Sequence, residues 1–399
     1  MYLRKHSSWA IVTGEYPPQT GGVSDYTFLL AKALAAAGDE VHVFTPSSAS
    51  HPMRSSPTAP LPDWGVWVHP LPGRFGSRAL LELNRELNAL KTRPTLLVQY
   101  VPNAFGMKAM NLPFCLWLRL RRKEPVWVMF HEVWFQAKQG DSLSRHLLGR
   151  INRIMASLVA RSAQRVLLSI PAWEPLVREV APAQTQFSWL PVFSNLPVEV
   201  DPSRVGALRA ELGSCREAII IGHFATYQEP IAACLRETFL TLLDHDARNI
   251  VLLLGRGSKE FAHSLRQQRP DLHSRIAAVG ELPPHGTSEH LAACDLLLQP
   301  YPDGISARRG SAMAGLALGV PTVTNQGHLS EPLWRDSQAV ALAAEFSPRA
   351  IVAAANALLA DPERLTELRI RSRALYFETF HLDRIVADLR SRRAGRSPE

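Results

Sequence analysis

The 399-residue chain predicts an α/β protein built from two doubly wound parallel-sheet domains in tandem. Three observations carry this. Short apolar runs recur along the chain, several followed by a glycine-bearing turn and a helical pattern, as in parallel β-α-β units. The pattern restarts midway, with residues 9–13 opening one half and residues 218–221 opening the other. The length is too great for one ordinary core and suits two domains of roughly 200 residues.

In chain order, the first half places a strand at 9–13, the turn GEYPPQTGG and a helix over 24–37. Strands follow at 40–45, 96–100, 126–131 and 165–170, with a Ser-, Pro- and Ala-rich surface loop expected over 45–64. The second half places a strand at 218–221, the turn GHFATYQEP and a helix over 231–243. Strands then fall at 250–254, 276–279, 295–299 and 320–324. Three prolines in LPVFSNLPVEVDP put the boundary within 190–202, giving domains at 1–195 and 196–378 and a C-terminal segment at 379–399. In that segment a periodic helix at 382–392 precedes a tail, RRAGRSPE, expected to be disordered.

Composition narrows the function. Hydrophobic residues make up 46% and charged residues 20%, which excludes a disordered or fibrous chain. The net charge of +8 is uneven: residues 119–165 hold ten basic residues against three acidic ones. The remainder is close to neutral, and no aromatic-and-basic stripe accompanies the patch, so nucleic acid is not an expected partner. Cys115, Cys215, Cys234 and Cys294 lack metal-ligand spacing and imply free thiols in a reducing compartment. The N-terminal apolar run is too short for a signal peptide, and a cytoplasmic location is expected.

Ligands of open α/β sheets bind beyond the carboxyl ends of the strands, so chemistry is sought there. Gly21 and Gly22 lie between the first strand and first helix, as a close-approach anion turn or as a turn that simply needs positive φ. His131 closes the strand VWVMFHEV, placed to donate a hydrogen bond to a hydroxyl or developing charge, or else satisfied within the core. Gly255 and Gly257 form a GxG turn after NIVLLL. In PYPDGISARRGSAMAGLALG a helix start is expected with Ser306 or Ser311 near its cap and Arg308 and Arg309 in the first turn. Cations there oppose the helix dipole, and a bound anion accounts for them better than stability does. The DxD at Asp244 and Asp246 falls at the amino edge of the sheet, away from any expected metal-diphosphate site. The helix at 143–166 carries an apolar stripe (Leu147, Leu148, Ile151, Ile154, Met155, Leu158, Val159) expected to pack in the core. Its arginines form a solvated face or a contact with anionic lipid headgroups.

These residues resemble the retaining glycosyltransferases of family 4. The resemblance runs from EYPPQTGGVSDYTFLLAKALAAAGDEVHVFTP through His131, the Gly222 turn and LLGRGS to HLAACDLLLQPY and GLALGVPTVTNQG. It implies the GT-B fold, two Rossmann-like domains facing across a cleft, the final helix crossing back onto the first. It implies transfer of a sugar from a nucleotide diphosphate sugar, with retention and without cofactor or metal. Gly21 and Gly22 would approach the donor phosphates and acceptor, His131 would contact the sugar, and backbone amides around 304–306 (Gly304, Ile305, Ser306) would hold sugar hydroxyls and phosphate. A glycan or lipid-linked acceptor, received by the first domain, is implied. The charge excess around His131 suits a phosphate-bearing or membrane-lying acceptor, with the chain on the cytoplasmic face of an anionic membrane.

The chain departs from the family pattern at the diphosphate. Where the family carries Arg and Lys five apart, it has His223 and Gln228; where the family carries two glutamates eight apart, it has Ser306 and Ala314. An alternative alignment keeps one carboxylate, Asp303, beside Gly304. Arg308 and Arg309 are expected to replace part of the missing charge, since a buried diphosphate needs compensation. Two alternatives remain: a GT-B protein that binds a sugar nucleotide or partner without turnover, and a nucleotide-sugar epimerase.

Overall fold

A computed structural model describes residues 7–47, 65–135, 137, 140–213 and 217–394. Its two compact units are residues 1–191 with 385–399, and residues 192–384.

The first unit is built on β1 (Ser8–Thr13), β2 (Glu40–Pro46), β3 (Val66–Leu71), β4 (Thr95–Tyr100), β5 (Val126–Phe130), β6 (Arg165–Leu168) and β7 (Gln186–Trp189). They form one parallel sheet in the order β3-β2-β1-β4-β5-β6-β7, with Trp9 level with Val41 on one side and Thr95 on the other. The central strands SWAIVT, TLLVQY and VWVMF are buried along their whole length, as expected where helices cover both faces. The chain winds outward from β1 to β3, then restarts at β4 on the other side, so its direction reverses between β1 and β4. Helix Leu382–Arg393 belongs mostly to this unit. It buries Ile385, Val386 and Leu389, worth about 1.5–3 kcal/mol each. Arg390 pairs with the buried Asp39 at 3.2 Å, and Arg393 donates to the Ser8 carbonyl at 2.6 Å.

The second unit carries β8 (Ile219–Phe224), β9 (Asn249–Leu254), β10 (Ile276–Gly280), β11 (Leu296–Leu298), β12 (Thr322–Asn325) and β13 (Ala341–Ala343), parallel in the order β10-β9-β8-β11-β12-β13. Its direction reverses between β8 and β11.

Several expectations are corrected. The tail is ordered at Arg392 and Arg393, which complete the last helix because their guanidinium groups bond to Ser188 and Ser8; residues 395–399 lie outside the described residues. So do residues 48–64 of the expected loop, together with Cys215. Gly222 sits inside β8 rather than in a turn: a Cβ there would lie 2.5 Å from Cys294 Sγ and 2.8 Å from Leu297, so the glycine lets the neighbouring strand and helix close in. The stripe on helix Leu143–Ala160 is only half core, with Met155 and Val159 buried but Leu147 and Ile154 exposed at 57% and 52%.

Candidate active site

In the first unit the loops after β1 and β4 meet at the sheet's reversal point. Gly14 is obligatory there, since a Cβ would lie 2.3 Å from the Ala104 carbonyl oxygen. Gly21 is extended (φ 172°) and Gly22 opens helix Gly22–Ala36 with empty space where a side chain would point. The positive-φ reading of this pair therefore fails; Gly21 makes room for the Glu15 carboxylate, which a Cβ would approach to 2.8 Å, and Gly22 leaves the helix start uncluttered. Ser24 donates to the Gln19 carbonyl at 2.6 Å and fixes the loop that leads in.

His131 continues β5 by one residue, its amide donating to the Tyr100 carbonyl. Its Nε2 lies 2.7 Å from Gln99 Oε1, and its ring meets the Tyr26 edge at 4.9 Å. With Gln99 accepting, the ring proton sits on Nε2 and Nδ1 remains an acceptor. Burial pushes the pKa down to about 3, so the imidazole is neutral at physiological pH. His131 thus offers an acceptor, not the donor expected from its position. Gln99 Nε2 is buried without a partner. Its signal was a lone amide in the otherwise apolar strand TLLVQY.

In the second unit the reversal point is bridged by side chains. His223 Nδ1 lies 2.6 Å from the Leu298 carbonyl, joining β8 to β11, and Gln299 Nε2 donates back to the Phe224 carbonyl at 3.2 Å. His223 Nε2 and Gln299 Oε1 are buried without partners, and burial lowers His223 to about 4 despite its bond to Leu298. Beside them Gly255 (φ 96°) turns against the Ala225 carbonyl, where a Cβ would be 2.4 Å away, and Gly257 (φ 84°) caps helix Ser258–Gln268.

The loop after β11 is stapled to the loop after β12. Asn325 accepts from the Tyr301 amide at 2.8 Å and donates to its carbonyl at 2.8 Å. Glu331 accepts from the Ala307 amide at 3.0 Å and from Trp334 Nε1 at 2.6 Å. Gly304 (φ 85°) fits only because a Cβ would strike Gly327 N and Ser330 Oγ, each at 2.3 Å. Two of the three expected backbone donors are already engaged: the Gly304 amide donates to the Tyr301 carbonyl and the Ile305 amide to the Asn325 carbonyl. Ser306 is fully buried with its hydroxyl unpartnered. Asn325 and Glu331 carry no motif signal, because their role exists only once the two loops are adjacent.

Arg308 and Arg309 do not lie in a helix first turn. The helix spans Gly310–Leu318, with Arg309 at the cap position and neither serine capping it; Ser311 bonds Tyr301 instead. The cause is Asp303, whose two oxygens take Arg308 Nη2 at 2.6 Å and Arg309 Nη2, while Arg309 also lies 4.6 Å over the Tyr301 ring. Burial raises the Asp303 carboxyl, but the Arg309 and Arg308 charges outweigh it and hold it below its ordinary value. The pair therefore has an internal anion, and the trio keeps one net positive charge. Asp244 and Asp246 are taken by Arg269 and Arg248, each at 2.7–2.8 Å for the shortest contact. Cys115, Cys234 and Cys294 are free and buried.

Two reversal points, each with a buried His and Gln and glycine turns at the carboxyl edge of a parallel sheet, define an α/β protein of two doubly wound units. The comparisons specify it. Residues 21–191 match the model of the glycosyl transferase 4-like domain. The whole chain has the fold of sucrose-phosphate synthase from Thermosynechococcus elongatus, with TM-score 0.72 at 16% identity over 98% of this chain and 99% of that one. It is similarly related to Anabaena HepE in complex with UDP and glucose, with TM-score 0.69 at 15% identity over 98% and 100%. WaaG, a glycosyltransferase involved in lipopolysaccharide biosynthesis, matches with TM-score 0.64 at 15% identity over 96% and 98%. No curated protein sequence matches the chain. The fold shared with these structures is the GT-B fold, two doubly wound parallel-sheet domains in tandem. Among the described residues no helix is long and apolar enough to cross a membrane.

Proposed function

We propose that the protein transfers a sugar, with retention and without a metal, from a nucleotide diphosphate sugar to a glycan or lipid-linked acceptor. The observation that carries this is the gathering of His223, Gln299, the Gly255–Gly257 turn and the Asp303 cluster at one sheet edge, beyond the strand ends where such ligands bind. HepE and a trehalose-6-phosphate protein of E. coli are described with UDP, UDP-glucose or UDP-2-fluoro glucose, which puts uridine first among donor bases.

In this reading Arg308 and Arg309 turn from Asp303 toward the diphosphate, and Asp303 keeps them aimed when the site is empty. Charge-assisted bonds to the leaving phosphate stabilise it as negative charge develops. Ser306 Oγ and His223 Nε2 are unfilled seats for a donor hydroxyl or amide, and His131 Nδ1 accepts from a sugar hydroxyl. The leaving phosphate itself takes the acceptor proton, so no side-chain nucleophile is demanded.

The acceptor reading draws on helix Leu143–Ala160. Leu143, Leu147 and Ile154 are exposed on one face and Arg150 shares it, a pattern suited to an anionic membrane surface. Assembly of a surface polysaccharide or glycolipid on the cytoplasmic face is the pathway this reading proposes, by analogy with the family resemblance.

A thermal-shift screen of uridine, guanosine and adenosine diphosphates and their sugars tests the donor, followed by product analysis with the stabilising sugar. An Arg308→Ala/Arg309→Ala variant is expected to lose about a hundredfold or more in turnover, two charged hydrogen bonds being removed. Unchanged turnover would sink the assignment. Binding without transfer or hydrolysis would favour the silent homologue, and donor rearrangement without acceptor the epimerase.

A further inference from the structure

The charge excess of residues 119–165 is divided: Arg145 and Arg153 lie over Phe135 and Trp134 in the loop after His131, but four others do not. Arg119 and Arg122, where helix Leu112–Leu120 ends, Arg161, after helix Leu143–Ala160, and Arg165, opening β6, face the opposite edge of the sheet. With Arg392 and Arg393 of the last helix they line a cavity of about 790 Å³ at the amino ends of β4 to β7. Its described lining contains no carboxylate.

Stability does not account for so many cations. Three helices end here, and the carbonyl end of each carries about half a negative charge, which one cation apiece would answer. Asp388 answers Arg392 at 2.7 Å. Beyond that the charges crowd one another. Arg165 and Arg392 both donate to Ser188 Oγ, at 3.0 and 2.7 Å, so two guanidinium groups converge on one hydroxyl. Arg165 otherwise meets Gln186 and the face of Trp127 at 5.1 Å, both neutral; Arg393 meets the Ser8 carbonyl and the face of Trp9 at 5.0 Å and feels Asp39, a carboxylate already paired with Arg390. Burial and then the Arg392 charge hold Arg165 below its ordinary pKa, against the pull of Asp388. Arg119, Arg122 and Arg161 have no ion pair among the described residues.

We propose that this cavity is a binding site for a phosphate-bearing anion of at least two negative charges, distinct from the carboxyl edge where the sugar donor is read. Planar guanidinium forks converging on a dented surface match phosphate oxygens in pairs, and the volume suits a ligand of nucleotide size or smaller. Thr185, whose hydroxyl has no partner, adds a neutral donor on the same lining. A soluble phosphorylated metabolite and a phospholipid headgroup share this chemistry. The proposal does not depend on sugar transfer.

Arg122 and Arg161 are exposed and make no ion pair among the described residues, Arg161 donating to Ser157 Oγ at 3.3 Å, so Arg122→Gln/Arg161→Gln spares the fold. Pyrophosphate titrated against thermal unfolding is expected to stabilise the natural protein saturably, and the double variant with at least about tenfold weaker apparent affinity. Any binding at the donor edge is common to both proteins, so the difference between them is the readout. Flotation with phosphatidylglycerol vesicles, against phosphatidylcholine, separates the sources. A pyrophosphate difference assigns a soluble ligand; loss of flotation in the variant without one assigns a headgroup. Equal titrations and equal flotation overturn the site. Arg122→Lys/Arg161→Lys keeps the charges without the planar forks and is expected to restore only part of the affinity lost in the glutamine variant.

Discussion

The two carboxyl edges solve the same problem with opposite means. In the first unit the edge is open and carries a carboxyl, Glu15, against Gly21: Gly22 faces empty space, and His131 is paired with Gln99. In the second unit the edge is charged and held shut on itself: Asp303 grips two arginines, and the loops after β11 and β12 are cross-bonded through Asn325 and Glu331. An open edge admits varied partners, whereas a stapled loop keeps one geometry. Pre-ordered groups stabilise developing charge without reorganising, which is why the diphosphate reading falls on the second unit.

The contrast can be broken most sharply at Gly304. Gly304→Ala forces a Cβ into Gly327 and Ser330 at positive φ, and is expected to destabilise the second unit by about 3 kcal/mol or more. Urea unfolding followed separately for the two units checks it; an unchanged midpoint would show that the loops are not stapled. Next in size is Glu331→Ala, which leaves the Ala307 amide and Trp334 indole unpartnered in the interior. About 2–4 kcal/mol is expected from those lost bonds, again confined to the second unit.

Acid sharpens the comparison from the other side. His69 and His131 in the first unit stay neutral to about 3, and His223 in the second to about 4, all because burial disfavours the charged ring. Unfolded, each protonates near its ordinary 6.5. Between 6.5 and about 4 the unfolded chain therefore binds more protons, and stability falls as pH falls, by up to roughly 1.4 kcal/mol per pH unit per histidine. Glu331 in the second unit and Glu15 in the first work the other way: burial raises both, so each protonates more readily in the fold and offsets part of the loss, leaving two histidines against one as the difference. The first unit is expected to melt first on acidification from pH 7 to 4.5, read by calorimetry; coincident shifts would contradict this. The smallest effect belongs to Gly22→Ala. With open space and helical φ it is expected to stabilise by up to about 1 kcal/mol, and any loss of turnover at preserved stability would reveal close approach of a ligand.

Much of this architecture was legible in the sequence. The central strands, buried on both faces, announce themselves as apolar runs, and the restart at residue 218 announces the second sheet. The edge strands β3, β7 and β13 did not, because an edge tolerates mixed polarity and short length: QFSW and ALA have no distinctive pattern. Candidate residues were legible wherever the strand end fixes the place, as with His131, Gly255 and Asp303. Their states were not. Whether His131 donates depends on Gln99, thirty-two residues away, and whether Arg308 and Arg309 are free depends on Asp303 folding back onto them.

Periodicity and composition, being local, sufficed for two parallel α/β units, the candidate edges and an uneven charge. Tertiary structure alone decided where the charge went. Arg119, Arg122, Arg161 and Arg165 stand close to His131 in sequence, yet a parallel strand carries its two ends to opposite edges of the sheet. Arg392 and Arg393, more than two hundred residues on, return to join them because the last helix buries its apolar face there.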